Sequence, residues 1–241
     1  MSSSFLVLQH IACEPPAAFE DELRSRGLDV TRVELDEGDP LPDWRDFPAI
    51  VVMGGPMGAY DEADHPWLVD EKRALREAVE ADVPVWGVCL GAQLLARAAG
   101  AWVGPAAAAE VGWFSVEVND EGAADPVLRA LPRRVDAFQW HYYTFELPDG
   151  AVELARSEAV RQAYRLGERA WGIQFHAEVD RRMLDRWFRE GASELPKPID
   201  EIRAETDRLL GRWNEHGHAL STAFLDEAQR LASREPEAAR R

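Results

Sequence analysis

The sequence predicts an α/β protein: an open, mostly parallel sheet flanked by helices, with added antiparallel strands and C-terminal helices. Three observations predict it. Short apolar runs alternate with helically spaced segments through the N-terminal half. The run Ala49–Met53 is continuously apolar, as in a strand buried on both faces, and ends in Gly54-Gly55-Pro56. From Trp102 onward the pattern changes to short alternating runs broken by Gly, Pro, Asn and Asp.

Phe5–Gln9 is a short apolar strand candidate, and Pro15–Arg26 carries Phe19 and Leu23 at helical spacing before Gly27 stops it. Leu28–Leu35 then alternates as a strand, which completes a β-α-β unit. After Ala49–Met53 a loop must begin at the glycines. Pro66–Ala81 reads as a helix with Pro in its first turn, Pro84–Val88 as a second buried strand, and Leu90–Ala99 as a helix closed by Gly100. Trp113–Val118, Val135–Trp140, Val152–Arg156, Val160–Arg165 and Trp171–Phe175 read as antiparallel additions to the sheet. Val179–Arg189 resumes a helix, and Ile199–Glu215 and Ala219–Ser233 read as two amphipathic helices parted at Gly217. The expected organisation is one domain over 1–194 with a helical extension, 195–241, packed on it.

The chain has 241 residues and 46% hydrophobic content, yet no apolar run approaches the roughly 20 residues a membrane-spanning helix needs. No membrane association is expected. With 27 Lys and Arg against 44 Asp and Glu, the net charge of −17 opposes a phosphate backbone and argues against nucleic acid as a partner. Cys13 and Cys89 are too few for a disulfide framework or a zinc site, and MSSSFLVLQH lacks the features of an export signal, so the expected compartment is cytoplasmic.

Three stretches carry chemistry. In Gly87-Val88-Cys89-Leu90-Gly91 the cysteine sits between a strand and a helix, the nucleophile-elbow arrangement with Cys in place of Ser. Its glycines allow backbones to approach too closely for side chains, and a helix starting at Leu90 would offer that residue's amide to an oxyanion. The same pattern also describes a small buried cysteine in a tight turn. In Gly172–Glu178, His176 and Glu178 lie two apart at a strand end, so a carboxylate can orient an imidazole; a surface pair is the plainer reading. The glycines of Gly54–Tyr60 could point a backbone amide into the crevice at the strand ends, or make only a tight turn or a phosphate loop. No GK[ST] follows and GxGxxG is not matched. No metal-ligand spacing accompanies His141, His176 and Glu178, so no metal is assigned.

Taken together, GGPMGAYDE, PVWGVCLGAQLLA and WGIQFHAE resemble, in this order, the class I (triad) glutamine amidotransferases, and among them stand-alone proteins similar to the glutaminase domain of GMP synthase. The resemblance runs from about Phe5 to about Arg189, and Glu110–Trp113 and Gln139–Pro148 add to it. It implies a flavodoxin-like sheet without cofactor or metal, with Cys89 as nucleophile, His176 as base and then acid, and Glu178 holding the imidazole. It further implies oxyanion-hole amides from Gly55 and Leu90, a glutamyl contact from Gln93, and a site-lining loop position for His141; a buried structural role for His141 stays open. Where many relatives read W-H-G-D, this chain has Trp140-His141-Tyr142-Tyr143, so Tyr142 and Tyr143 stand where a substrate-binding carboxylate would be. Ala177 replaces a usual Pro, and Ala109 a frequent Lys.

The implied activity is hydrolysis of a γ-glutamyl amide, glutamine above all, through a γ-glutamyl thioester. The implied partner is a separate synthetase or ammonia-acceptor subunit. Two alternatives stand beside this reading: a γ-glutamyl peptidase or hydrolase acting on a larger γ-glutamyl compound, and a non-catalytic binding subunit.

Overall fold

The computed structural model describes residues 4–191 and 195–238, with side chains through residue 230. Its centre is a parallel sheet of β1 (Ser4–Gln9), β2 (Asp29–Glu34), β3 (Ile50–Val52), β4 (Val85–Val88) and β9 (Ala170–Ile173) in the order β2-β1-β3-β4-β9. All residues of β1, β3, β4 and β9 are buried, which is why they read as unbroken apolar runs. Alternate side chains still choose opposite faces: Phe5 and Val7 enter one core, Leu6 and Leu8 the other. The first core is covered by α1 (Ala18–Ser25), α5 (Arg181–Glu190) and α6 (Ile199–Ala238); the second by α2 (Trp67–Glu80) and α3 (Leu90–Ala98).

The sheet continues antiparallel through β8 (Arg161–Leu166), β7 (Ala151–Arg156), β5 (Val103–Val118) and β6 (Arg134–Phe145), giving nine strands among the described residues. It curls, because β6 returns to the segment beyond β9, where the His176 N–H donates to Phe138 O at 2.9 Å; the β8 side continues past β9 with the Gln174 N–H donating to Gln162 O at 2.8 Å. β5 and β6 are longer than their sequence patterns predict. The pairing includes Val103 opposite Phe145 and Pro105 opposite Tyr143, with a register shift between Pro105 and Glu110. The alanines of that irregular stretch carry no alternation, so the sequence hides the strand. The short α4 (Asp120–Ala124), capped by Asn119 Oδ1 accepting from the Gly122 N–H at 2.8 Å, is also absent from the sequence reading.

The two C-terminal helices expected on either side of Gly217 are one helix of 40 residues. Gly217 does not break it. A Cβ there would collide with Ala177 O, so the glycine lets α6 lie against the backbone of the segment after β9. The helix also packs on α1, with Phe224 against Phe19, Trp86 and Trp171. The expected boundary after residue 194 falls on residues 192–194, outside the described residues. Among the described residues no helix is long and apolar enough to cross a membrane.

The two helix glycines therefore separate by experiment. A Cβ at exposed Gly211 meets nothing, so Gly211→Ala gains up to about 1 kcal/mol from helix propensity. Gly217→Ala, forced into a backbone oxygen, loses about 1–3 kcal/mol. Urea unfolding of both variants reads the opposite signs.

Candidate active site

The candidate residues converge at the carboxyl ends of parallel strands, the ligand position of open α/β sheets. His10 follows β1, Gly54 and Gly55 follow β3, Cys89 follows β4, and His176 and Glu178 follow β9. Cys89 takes φ 50° and ψ −105°, a conformation that L-residues rarely adopt, directly before the first residue of α3. Close backbone packing holds it there. A Cβ on Gly87 would lie 2.7 Å from the Gly91 carbonyl carbon and oxygen, and one on Gly91 would collide with Val52 O. The Cys89 N–H donates to Ile173 O at 2.8 Å, so the elbow is tied to the strand that leads to His176.

Beyond β9 the chain brings His176 and Glu178 together. His176 Nδ1 donates to Glu178 Oε1 at 2.7 Å, both side chains being buried. That contact fixes the tautomer and leaves Nε2 for Cys89, with which the ring also interacts. Burial works against the protonated ring, but Glu178 and the Cys89 sulfur outweigh it and raise the His176 pKa well above its ordinary value. The ring stands edge-on to Trp187, with centroids 4.9 Å apart. The Gln174 side-chain amide donates to Cys89 Sγ at 3.6 Å and accepts from Gln93 Nε2 at 3.2 Å, which links Gln93 to the sulfur.

Gly55 lies against the start of α3; a Cβ there would be 3.1 Å from Leu90 Cδ2 and 2.9 Å from His10 Cβ. The Gly91 N–H is taken by Met53 O at 3.1 Å, whereas the Leu90 N–H, in the first turn, has no partner within its own helix. His141 lies in β6 rather than in a loop. Its Nδ1 bonds Tyr143 O at 3.1 Å and its Nε2 bonds Glu110 Oε2 at 3.1 Å, so both nitrogens are engaged in a buried network with Gln162. Tyr143 O also accepts from Gln93 Nε2 at 3.2 Å, and the side chains of Tyr142 and Tyr143 are 43% and 44% exposed. Of these three residues, Tyr143 is the one that meets Gln93, through its backbone carbonyl, while the His141 ring is taken up by the network.

The sequence model of the glutamine amidotransferase class-I family matches residues 17–190. The chain belongs to this family. It is 28% identical over 224 residues to the glutamine amidotransferase-like protein YfeJ of Salmonella typhimurium, covering 90% of this chain and 94% of that protein. A subunit of the glutamine-hydrolysing GMP synthase of Sulfurisphaera tokodaii is 31% identical over 163 residues, 66% of this chain and 80% of its own. The crystal structure of a glutamine amidotransferase from Methylobacillus flagellatus superposes with a TM-score of 0.80 at 31% identity, covering 94% of this chain and 95% of that one.

Around these residues this member of the class-I family has supports that no motif announced. His10 is buried, stacks on Trp67, bonds Gly54 O through Nδ1 at 3.1 Å and meets Glu71 through Nε2 at 2.9 Å. Burial lowers its pKa, but Glu71 and the bond to Gly54 more than offset that and raise it. The pair anchors the glycine loop. From α6, Trp213 Nε1 donates to His176 O at 2.8 Å and Asn214 Nδ2 to Val179 O at 2.6 Å, while Gly217 packs on Ala177 O. Three neighbouring positions of one helix therefore hold the backbone on both sides of Glu178, beyond the residues that the family model matches.

Glu14, in the loop after β1, is a half-buried carboxyl whose Oε2 is shut off from solvent. Its Oε2 packs over Gly54 with no hydrogen-bond partner among the described residues, and the His176 ring flanks the same glycine. Burial, reinforced by Glu178 and opposed by His176 and His10, pushes its pKa up to about 7. A carboxyl raised in the folded state contributes stability that is full below its unfolded value and is lost as pH rises through about 7. Glu14→Gln is therefore expected to stabilise the protein by about 1–3 kcal/mol at pH 8 relative to the wild type, with the gain vanishing near pH 4, in paired denaturation curves. Trp213→Phe keeps a six-membered aromatic ring but removes the indole N–H that serves His176 O, and the same measurement should show a loss of at least about 1–3 kcal/mol at both pH values.

Proposed function

We propose that the chain hydrolyses a γ-glutamyl amide, glutamine in the first instance, through a Cys89–His176–Glu178 triad and a γ-glutamyl thioester. The observation that carries this reading is the elbow cysteine interacting with an imidazole whose other nitrogen bonds Glu178 at 2.7 Å. With His176 holding the proton, the Cys89 sulfur attacks the γ-carbonyl carbon as thiolate, and the amides of Gly55 and Leu90 receive the developing oxyanion. As the C–N bond breaks, His176 Nε2 gives its proton to the departing nitrogen. Water then attacks the thioester while the now neutral imidazole takes its proton, releasing glutamate and restoring Cys89. Glu178 keeps the imidazole in register and stabilises its charge in both steps, as the third member of such triads does.

Gln93, tied to Gln174 and thus to the sulfur, is the polar group best placed to meet the glutamyl moiety, with the Tyr143 backbone beside it. The relatives named as subunits of GMP synthase support a partner for this chain, a separate synthetase chain that takes the ammonia. A second reading, cleavage of a larger γ-glutamyl compound, is favoured by a cavity of about 210 Å³ beside His176, far more room than ammonia needs.

Glutamate release from glutamine and from γ-glutamyl peptides, wild type beside variants, tests the proposal. Cys89→Ala should lower kcat by at least about a thousandfold and Glu178→Gln by about a hundredfold or more, and a chelator should leave the rate unchanged. A Cys89→Ala protein as active as the wild type overturns the triad.

A further inference from the structure

The cavity beside His176 has a composition of its own. Its walls include Glu14, Pro56, Trp140, His176, Trp187 and Glu190. Gln93, His141, Tyr142 and Tyr143, the residues expected around the glutamyl group, do not line it. In the reaction proposed above, His176 delivers a proton to the departing nitrogen, so the leaving group must lie against this imidazole. Of the proposed reacting groups His176 alone lines the cavity, and Cys89, Gly55 and Leu90 do not, which puts the cavity on the leaving-group side of the reaction read above. At about 210 Å³ it holds a chain of several heavy atoms, since a water or an ammonia occupies only about 30 Å³.

The walls also specify charge. Glu190 is engaged by Arg186 at 2.9 Å, but Glu14 Oε2 is buried and has no hydrogen-bond partner among the described residues. A buried carboxylate without a partner is costly, and a cation placed beside it removes that cost. The indole rings of Trp140 and Trp187 meet edge to face with centroids 5.8 Å apart, offering apolar surface to a methylene chain and π-electron density to an ammonium. The loop that carries Glu14 is fixed: Trp187 Nε1 donates to Cys13 O at 2.8 Å, and the Ala18 N–H donates to Glu178 O at 3.4 Å. Because burial has raised the Glu14 pKa to about 7, an arriving cation would also draw it into the ionised form at neutral pH.

We propose that this cavity is a leaving-group subsite for an amine that carries a second, cationic group, such as a diamine or a basic amino acid, with Glu14 as the anchoring carboxylate and the two tryptophans in the same wall. The inference rests on the Cys89 reading for the side of the scissile bond on which the cavity lies. The bonds exchanged are those of the reaction above: the amide C–N bond breaks, the C–S bond forms, and the His176 proton leaves on the departing nitrogen. The second amine remains protonated throughout.

The test uses three γ-glutamyl amides of equal chain length, made from 1,4-diaminobutane, butylamine and 4-aminobutyrate. For the wild type, kcat/KM should fall from the cationic through the neutral to the anionic leaving group, by about tenfold or more overall, and Glu14→Gln should flatten that order. Calorimetric binding of the same three amides to Cys89→Ala protein, with and without Glu14→Gln, reads the subsite with no turnover. Charge-ordered binding that Glu14→Gln abolishes, with no hydrolysis by the wild type, retains the subsite and retires the Cys89 mechanism. Hydrolysis indifferent to leaving-group charge, or a charge order unchanged in Glu14→Gln, overturns the subsite and leaves the mechanism standing. Absence of binding in both proteins, with no charge preference in turnover, also overturns it.

Discussion

The structure depends on the strained backbone of Cys89. A residue at φ 50° persists only where its surroundings over-determine it, and here they do so with backbone rather than side chains. Gly87 packs on Gly91, Gly91 packs on Val52 O, and the Cys89 amide is bonded to Ile173 O. These contacts lock β3, β4, β9 and α3 at one point. The same bond to Ile173 fixes the distance from the sulfur to the segment that begins one residue later and carries Gln174, His176 and Glu178. The geometry of the site is thus inherited from the sheet, and a shift of one strand would displace the sulfur and its partners together.

A second layer of support comes from polar groups far apart in sequence. The His10–Glu71 pair holds the glycine loop after β3 from one side, and the donors of Trp213 and Asn214 hold the carbonyls around Glu178 from the other. The bonds from His10 to Gly54 O, from Trp213 to His176 O and from Asn214 to Val179 O each satisfy a backbone oxygen, so packing and site geometry are stabilised by the same contacts. The C-terminal helix is in this sense part of the site, its side chains bonding the backbone carbonyls on either side of Glu178. Its glycine at 217 is the feature that allows that approach.

How legible this was in the sequence follows the range of each interaction. The elbow, the buried parallel strands and the His176–Glu178 pair are local patterns, and the glycines at 87 and 91 have the close-approach role that their spacing suggested. Gly217 was misread because a glycine between two helical segments looks like a break, and only the third dimension shows Ala177 against it. The extension of β5 and β6 through the alanine run was hidden for want of alternation, and with it the placement of His141 in a strand with both nitrogens engaged. Glu14 lies in Ala12-Cys13-Glu14-Pro15-Pro16, where nothing local distinguishes it from a surface acid; its isolation arises from Gly54 and His176, which the fold brings to it.

The most direct test of the central claim is to look for the thioester itself. Acid quenching during turnover of glutamine, followed by peptide mass spectrometry, should find one γ-glutamyl group on the peptide that carries Cys89, building up and decaying with glutamate release. Glutamate release with that peptide unmodified, or with the group on Cys13 instead, would contradict the account.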